Sequence, residues 1–226
     1  MPWSYSSLDT YETCPFRYKL KYIERMPEPP PDPKKPAAKD RGNMIHKQLE
    51  LYVNGSRPDV PPECEDFHNQ LITLRQLYAV GKVEVEQNWF FDSNWGVFPQ
   101  WKDAWCQVKA DVFVNDGDSA VVIDHKTGKK FGNEVKHTQQ TNVYSLAAFF
   151  RYPDLHTVKT EIWYHDVNDI LPVTYRRDQA MRFLPRLEKR VEAMLHDTMY
   201  RPRPNVVNCK YCPYGRNGTG HCPVSA

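Results

Sequence analysis

Two carboxylates, an amine and a histidine carry the chemistry that this sequence could perform. Asp124 and Lys126 stand two residues apart, where the apolar run Val121-Val122-Ile123 ends, and Asp111 lies upstream. Three β-branched apolar residues read as a buried strand. Residues two apart share one face of a strand, so Asp124 and Lys126 project together. Burying a carboxylate and an ammonium is costly unless something pairs with them. The strand therefore points at a charged site, most simply a divalent metal held by Asp124 beside Lys126. On this stretch alone, a hairpin ending in a surface Asp and Lys is the simpler reading; the second acid, Asp111, changes the balance.

The elements that must position these groups follow from periodicity. Trp105 to Val114 alternates as a strand, with Cys106, Val108, Ala110, Val112 and Val114 on one face and Lys109, Asp111 and Phe113 on the other. Asn115-Asp116-Gly117-Asp118 is a hairpin turn and Ser119 to Asp124 returns, which places Asp111 and Asp124 on adjacent antiparallel strands. Upstream, Asp40 to Tyr52 reads as a helix with Gly42 and His46 on one face and Ile45, Leu49 and Tyr52 as its apolar stripe. Glu63 to Val80 reads as a second amphipathic helix, stopped by Gly81. Val83 to Phe91 begins the strands, where Glu86 competes with Glu84 and both read as surface acids, a substrate or second-metal role being the alternative. Downstream, Asn133 to Arg151 is a helix carrying Gln140 and Tyr144 as an i, i+4 pair. Val158 to His165 and Leu171 to Arg176 read as partnered strands, and Asp178 to Tyr200 as a long helix that Pro185 kinks or restarts. At the start, Ser6 and Asp9 resemble a capping box for a helix running to Cys14, and Pro15 opens a second helix to Arg25.

Lys+Arg 30 against Asp+Glu 28 nets +2, so bulk charge does not announce a nucleic-acid binder and any basic groove must be local. The opening MPWSYSSLDTYETC has no charged-then-apolar leader pattern, and no apolar run approaches a membrane span. The expectation is an intracellular, cytoplasmic protein (host cytoplasm if phage-encoded) with no membrane partner. In that compartment six cysteines are metal ligands or buried thiols rather than disulfides. Cys64 and Cys106 sit on apolar faces as core thiols, whereas Cys209-x2-Cys212, Cys222 and the distant Cys14 read as a metal or cluster site.

Taken in order, Gly42-x3-His46, Glu86, Asp111, Asp124-x-Lys126 and Gln140-x3-Tyr144 resemble the RecB-like branch of the PD-(D/E)xK nuclease superfamily. The opening Ser4-x-Ser6-x-Leu8-x3-Glu12-x-Cys14-Pro15-x2-Tyr18 and the run Ile123-Asp124-His125-Lys126-Thr127-Gly128 are similar to that branch too, so the resemblance spans about residues 4 to 223. It implies an α/β, restriction-endonuclease-like core with a central mixed sheet flanked by helices, its N- and C-terminal segments joined at a cysteine cluster. One nuclease domain over residues 1–226 is implied: a Pro-rich loop at 27–36, a core at 37–200, and a cysteine-bearing tail at 201–226 packed with the Cys14 region. Phosphodiester hydrolysis needs an activated water, charge neutralisation at the phosphate and help for the leaving alkoxide, and hard oxygen ligands suit Mg2+ or Mn2+. By resemblance His46, Asp111, Asp124 and the His125 backbone carbonyl hold that metal. Lys126 orients the attacking water or stabilises developing charge, Gln140 lies near the active site and Tyr144 near DNA.

The iron-sulfur-containing branch, with AddB-type, CRISPR-adaptation and phage exonucleases, implies that Cys14, Cys209, Cys212 and Cys222 hold a [4Fe-4S] cluster. Structural Zn2+, with His221 replacing one thiolate, is the rival. The function expected is a metal-dependent deoxyribonuclease, an exonuclease on duplex ends or single strands in recombination, repair or phage DNA processing, with a possible recombination or repair protein as partner. The alternative is a non-catalytic nucleic-acid-binding subunit with a structural Fe-S or Zn site. Basic residues at Arg17 to Arg25, Lys34-Lys35, Lys129-Lys130, Arg176-Arg177 and Arg201 to Arg203 could meet phosphates, and Tyr18, Tyr22, Tyr144 and Tyr200 could stack on bases.

Overall fold

The computed structural model describes residues 2–30, 38–128 and 130–224. Most of the expected proline-rich loop, with Lys34 and Lys35, and also Lys129, lies outside the described residues. The chain forms two compact units, one of residues 1–2 and 36–184 and the other of 3–35 and 185–226.

The first unit is built on a six-stranded mixed sheet. Its strands are β1 (Val83–Phe91), β2 (Val97–Phe98), β3 (Cys106–Asn115), β4 (Ser119–Lys126), β5 (Thr157–Tyr164) and β6 (Asp169–Arg176), in the order β2-β1-β3-β4-β5-β6. Only β4 and β5 run parallel; the other neighbours are antiparallel. A parallel pair needs a long crossover, and the helix Glu134–Arg151 supplies it. Two helices of the second unit, α1 (Tyr5–Thr13) and α2 (Pro15–Tyr18), come first in the chain, so this helix is α5, after α3 (Ala38–Val53) and α4 (His68–Ala79). Alternation along each strand separates two cores. Ile45, Leu49 and Tyr52 of α3 and Leu71 and Leu74 of α4 pack with Val112, Val114, Ile123 and Trp163. The opposite face carries Phe113, stacked on Tyr152 at 4.7 Å and met edge-on by Trp89. It lies beneath α5, whose residues 143–149 are all buried.

The expected α/β class with a mixed sheet between helices is the one observed, with local departures. The single helix expected over 63–80 begins as a 3-10 turn, Pro62–Phe67, because consecutive prolines fix its entry, and only then becomes α4. The long helix expected over 178–200 is two helices, α6 (Arg177–Met181) and α7 (Leu184–Leu195), with Pro185 in the first turn of α7, where its missing N–H costs nothing. The second helix stops short of Tyr200 because Asp197 Oδ1 accepts the N–H groups of Met199 and Tyr200.

In the second unit α1 (Tyr5–Thr13) is capped by Ser4, which exchanges hydrogen bonds with Ser7, rather than by the expected Ser6–Asp9 pair. Next, α2 (Pro15–Tyr18) passes into a π-helical turn, Lys19–Ile23, and ends before Arg25, which has φ 53°. The two ends of the chain meet here. Arg190 grips Glu12 through two bonds of 2.6 and 2.7 Å, Tyr11 donates to Asp197 at 2.9 Å and Tyr214 to the Met26 carbonyl at 3.1 Å. A last short helix, α8 (Val206–Lys210), is capped by Asn205. Among the described residues no helix is long and apolar enough to cross a membrane.

Arg177 locks the end of α5 to the start of β5. Its guanidinium lies over the Phe149 ring and donates to the carbonyls of Phe149, Tyr152, Pro153 and Leu155. Arg177→Ala is expected to cost about 2 kcal/mol or more, because several carbonyls lose a charged donor together. Arg177→Lys should recover little, since an ammonium cannot reproduce the planar fork; urea denaturation midpoints of the three proteins check this.

Candidate metal centre

The site forms where the two central strands part. The β3–β4 ladder runs from Asn115↔Ala120 to Val112↔Ile123 and stops. Beyond it β3 stays paired with β1 as far as Cys106, and β4 stays paired with β5 as far as Lys126. Asp111 and Asp124 are the first residues past the split. There the His125 N–H donates not to a strand carbonyl but to Asp111 Oδ2, at 2.8 Å.

The other members arrive from three elements. His46, on α3, places Nδ1 3.2 Å from Asp111 Oδ1. One turn earlier Gly42 lies against the residue that follows Lys126: a Cβ there would stand 3.2 Å from Thr127 Oγ1. The Gly42-x3-His46 spacing thus couples close approach of α3 with delivery of the imidazole. From α5, Gln140 Nε2 and Tyr144 Oη donate to Asp124 Oδ1 at 3.2 and 2.5 Å, and Gln140 also donates to Tyr144 at 2.7 Å. Lys126 Nζ stands 2.5 Å from Asp124 Oδ2, an oxygen that accepts no hydrogen bond of good geometry.

Glu86 is the member that sequence reasoning placed among the surface acids. The β1–β3 register, with Val85↔Val112 and Gln87↔Ala110 on either side, sets it directly opposite Asp111. Ligand atoms of His46, Glu86 and Asp111 all lie within 4.8 Å of one another. Glu86 has φ 53°, the left-handed region, alone among the described strand residues. Such a conformation costs a bulky residue about 1–3 kcal/mol and collects at functional sites. No local signal separates Glu86 from Glu84, because the connection between β1 and β3 is too long for its register to be counted from the chain.

The two aspartates have opposite electrostatics. Burial acts to raise the Asp111 carboxyl, but the His46 hydrogen bond and charge, with help from His125 and Lys126, bring it down to about 2. Asp124 goes the other way: burial and the nearby Asp111 charge hold it above the usual carboxylate range despite Lys126. Burial would lower the Lys126 amine, yet the two carboxylates outweigh it and keep the ammonium. Tyr144 is pushed well up by burial and Asp124, so it stays a protonated donor.

These donors fit a hard divalent cation: carboxylates with one imidazole, buried acids of partly uncompensated charge, and an Asp124 oxygen lacking a hydrogen bond. The His125 side chain is not among them. Alternation turns it to the other face, where it packs edge-on to Trp163 and meets His165 across 3.0 Å. Burial holds both imidazoles below their ordinary range, His165 to about 4, so this pair is neutral at pH 7.

Several expected DNA contacts are placed elsewhere. Tyr144 is only 5% exposed and bonded to Asp124, so it cannot stack on a base. Tyr18 is buried beneath Tyr200. Lys19, Lys21, Lys130 and Arg176 pair with Glu24, Glu28, Asp169 and Asp178, and Arg203 donates to the Glu12 carbonyl.

In the second unit Cys14, Cys209, Cys212 and Cys222 line one cavity, with Arg17 beside them. All four are free thiols, and Cys14 Sγ accepts the Arg203 N–H at 3.4 Å. Burial and the other three sulfurs raise the Cys222 thiol. The Arg17 Nε is buried without a hydrogen-bond partner, a cationic donor suited to thiolate charge. His221 is exposed and bonded to Thr219. Cys64 and Cys106 are core thiols, both fully buried.

The family profile described as the PD-(D/E)XK nuclease superfamily matches residues 2–107 and 107–216. The solved structure of SSO0001 is similar in fold over 100% of this chain and 87% of its own, with 15% identity and a TM-score of 0.52. A candidate exonuclease from Eubacterium rectale aligns with 86% of this chain and 80% of its own at 10% identity, TM-score 0.47. A phage-related exonuclease from Haemophilus somnus aligns with 86% of this chain and 92% of its own at 12% identity, TM-score 0.33. No curated protein sequence matches.

If Glu86 joins His46 and Asp111 around a cation, Glu86→Gln should raise the Mn2+ concentration for half-maximal binding about tenfold or more. Glu84→Gln, one residue pair away, should leave it unchanged. Isothermal titration of both variants with Mn2+ separates them.

Proposed function

Because the chain belongs to the PD-(D/E)XK nuclease superfamily, we propose that it is a Mg2+- or Mn2+-dependent deoxyribonuclease acting as an exonuclease on DNA ends or single strands. The observation that carries the reading is the convergence of Asp111, Asp124 and Lys126 at the split between β3 and β4, with His46 on Asp111. The exonuclease assignment, and a role in recombination, repair or phage DNA processing, rest on the RecB-like order of the motifs.

His46, Asp111, Asp124 and the His125 carbonyl would hold the cation, with Glu86 a further candidate ligand beside His46 and Asp111. When bound it supplies charge neutralisation at the scissile phosphate and a more acidic water. Lys126, kept protonated by Asp124, would orient the attacking water and stabilise charge on the phosphate oxygens. Gln140 and Tyr144 fix the Asp124 carboxylate by holding Oδ1, which leaves Oδ2 directed at Lys126. The ion pair between Lys126 and Asp124 is thus preorganised before substrate arrives.

The four cysteines around one cavity would hold a [4Fe-4S] cluster joining the two ends of the chain, with Arg17 offsetting its negative charge. Structural Zn2+ is the alternative, and the cluster is favoured because no second closely spaced ligand pair of the kind typical of structural zinc accompanies Cys209 and Cys212.

End-labelled linear DNA, single- and double-stranded, is incubated beside a closed circle with Mg2+ or Mn2+. Loss of the linear DNA with the circle spared is expected; cleavage of neither, by protein with its metal centre filled, defeats the enzyme reading in favour of a binding module. Asp124→Ala and Lys126→Ala should each lower the rate about 10²–10³-fold while the circular-dichroism and visible spectra hold. Cys209→Ala should instead remove visible absorption and lower the melting temperature, since such centres couple to folding.

A further inference from the structure

With Tyr144 buried, the first unit still displays an aromatic on the turn that leads into α5, the helix bonded to Asp124. Phe131 is 81% exposed and Val135 74%, the two most exposed large apolar side chains of that unit among the described residues. A single exposed apolar residue is ordinary. Phe131 differs in how firmly it is held and in what it adjoins.

It occupies the second position of a turn closed by the Asn133 N–H on the Lys130 carbonyl at 3.0 Å. Gly132 follows with φ 85°, the left-handed conformation that this turn position favours in glycine. The Gly132 N–H is tied to Glu134 at 2.7 Å. On the other side Lys130 is fixed by its ion pair with Asp169 and lies over the Tyr164 ring, 5.8 Å from its centroid. The aromatic ring is therefore presented to solvent from a turn anchored at both ends.

The turn leads into α5, the helix that holds Asp124. From Glu134 to Gln140, whose side chain bonds Asp124, the axis rises about 9 Å. Phe131 also follows Lys126 by five residues, which limits their Cα separation to about 18 Å. Lys130 is paired with Asp169, and the side chain that this turn presents most fully to solvent is the apolar Phe131 ring.

We propose that Phe131 is a base-stacking residue, seating an unpaired nucleobase next to the scissile position, with Val135 as an apolar step behind it. This rests on the nuclease reading above and deepens it by making unpaired ends and single strands the favoured substrate. A rigid aromatic loses little conformational freedom on contact, and stacking tolerates any base.

The test uses the full chain with Ca2+ in place of Mg2+, and a single-stranded oligonucleotide carrying 2-aminopurine near its end. Wild-type protein should quench the fluorescence. Phe131→Ala should lose the quenching and bind about tenfold more weakly, whereas Phe131→Trp should keep both. Quenching and affinity in Phe131→Ala equal to wild type would overturn the proposal while leaving the nuclease reading intact if the wild type cleaves DNA. A change in oligomeric state of Phe131→Ala on size exclusion, with quenching preserved, would overturn it in favour of contact with a second copy. Wild-type protein that neither binds nor cleaves DNA would overturn both readings.

Discussion

The candidate site depends on one departure from regular pairing: β3 and β4 stop sharing a ladder just before Asp111 and Asp124. A buried strand whose N–H loses its carbonyl partner must find another acceptor. Here the His125 N–H finds the Asp111 carboxylate. That bond lets the strands diverge and fixes one acid at the mouth of the opening. It also accounts for how two buried carboxylates are tolerated, since each is satisfied from a different direction: Asp111 by the backbone and His46, Asp124 by Lys126 and α5. The sheet supplies the opening, and helices on its two faces supply the groups that make it habitable for charge.

The same division assigns the helices their tasks. On one face α3 approaches the end of β4 closely because Gly42 has no Cβ to meet Thr127, and the next turn carries His46 to Asp111. On the other face α5 is the obligatory crossover between the parallel strands β4 and β5. Its first turn is therefore bound to lie near the end of β4, where the catalytic candidates are. Gln140 and Tyr144 hold Asp124 from this helix, and the anchored turn at Phe131 precedes it. The buried His125–His165 pair, neutral through desolvation, fills the space behind the metal candidates without adding charge.

The second unit follows a different logic. Its packing comes from the two ends of the chain, tied by Arg190–Glu12, Tyr11–Asp197 and Tyr214–Met26 contacts. Such bonds close a very long loop, and the entropy of closure grows only slowly with loop length. Cys14 from one end and Cys209, Cys212 and Cys222 from the other line one cavity there.

Much of this was legible in the sequence, and the reason is local. Alternation over 105–124 and the Asn115–Asp118 turn settle a hairpin. A hairpin's register follows from its turn, so Asp111 and Asp124 had to be neighbours. The spacing Asp124-x-Lys126 places both side chains on one face whatever the fold around them, and the same alternation sends His125 to the other. Tertiary structure decided what depends on register or approach between distant segments. Glu86 faces Asp111 only because β1 docks on β3 in one register across a long connection. Tyr144 turns to Asp124 rather than to solvent because α5 lies over that strand, and Lys130, marked as a phosphate contact, meets Asp169, an acid that local pattern could not pair with it. Phe131 looked like any loop residue. The turn that carries it is tied to the sheet through Lys130 and Asp169, a contact between segments 39 residues apart that no periodicity encodes.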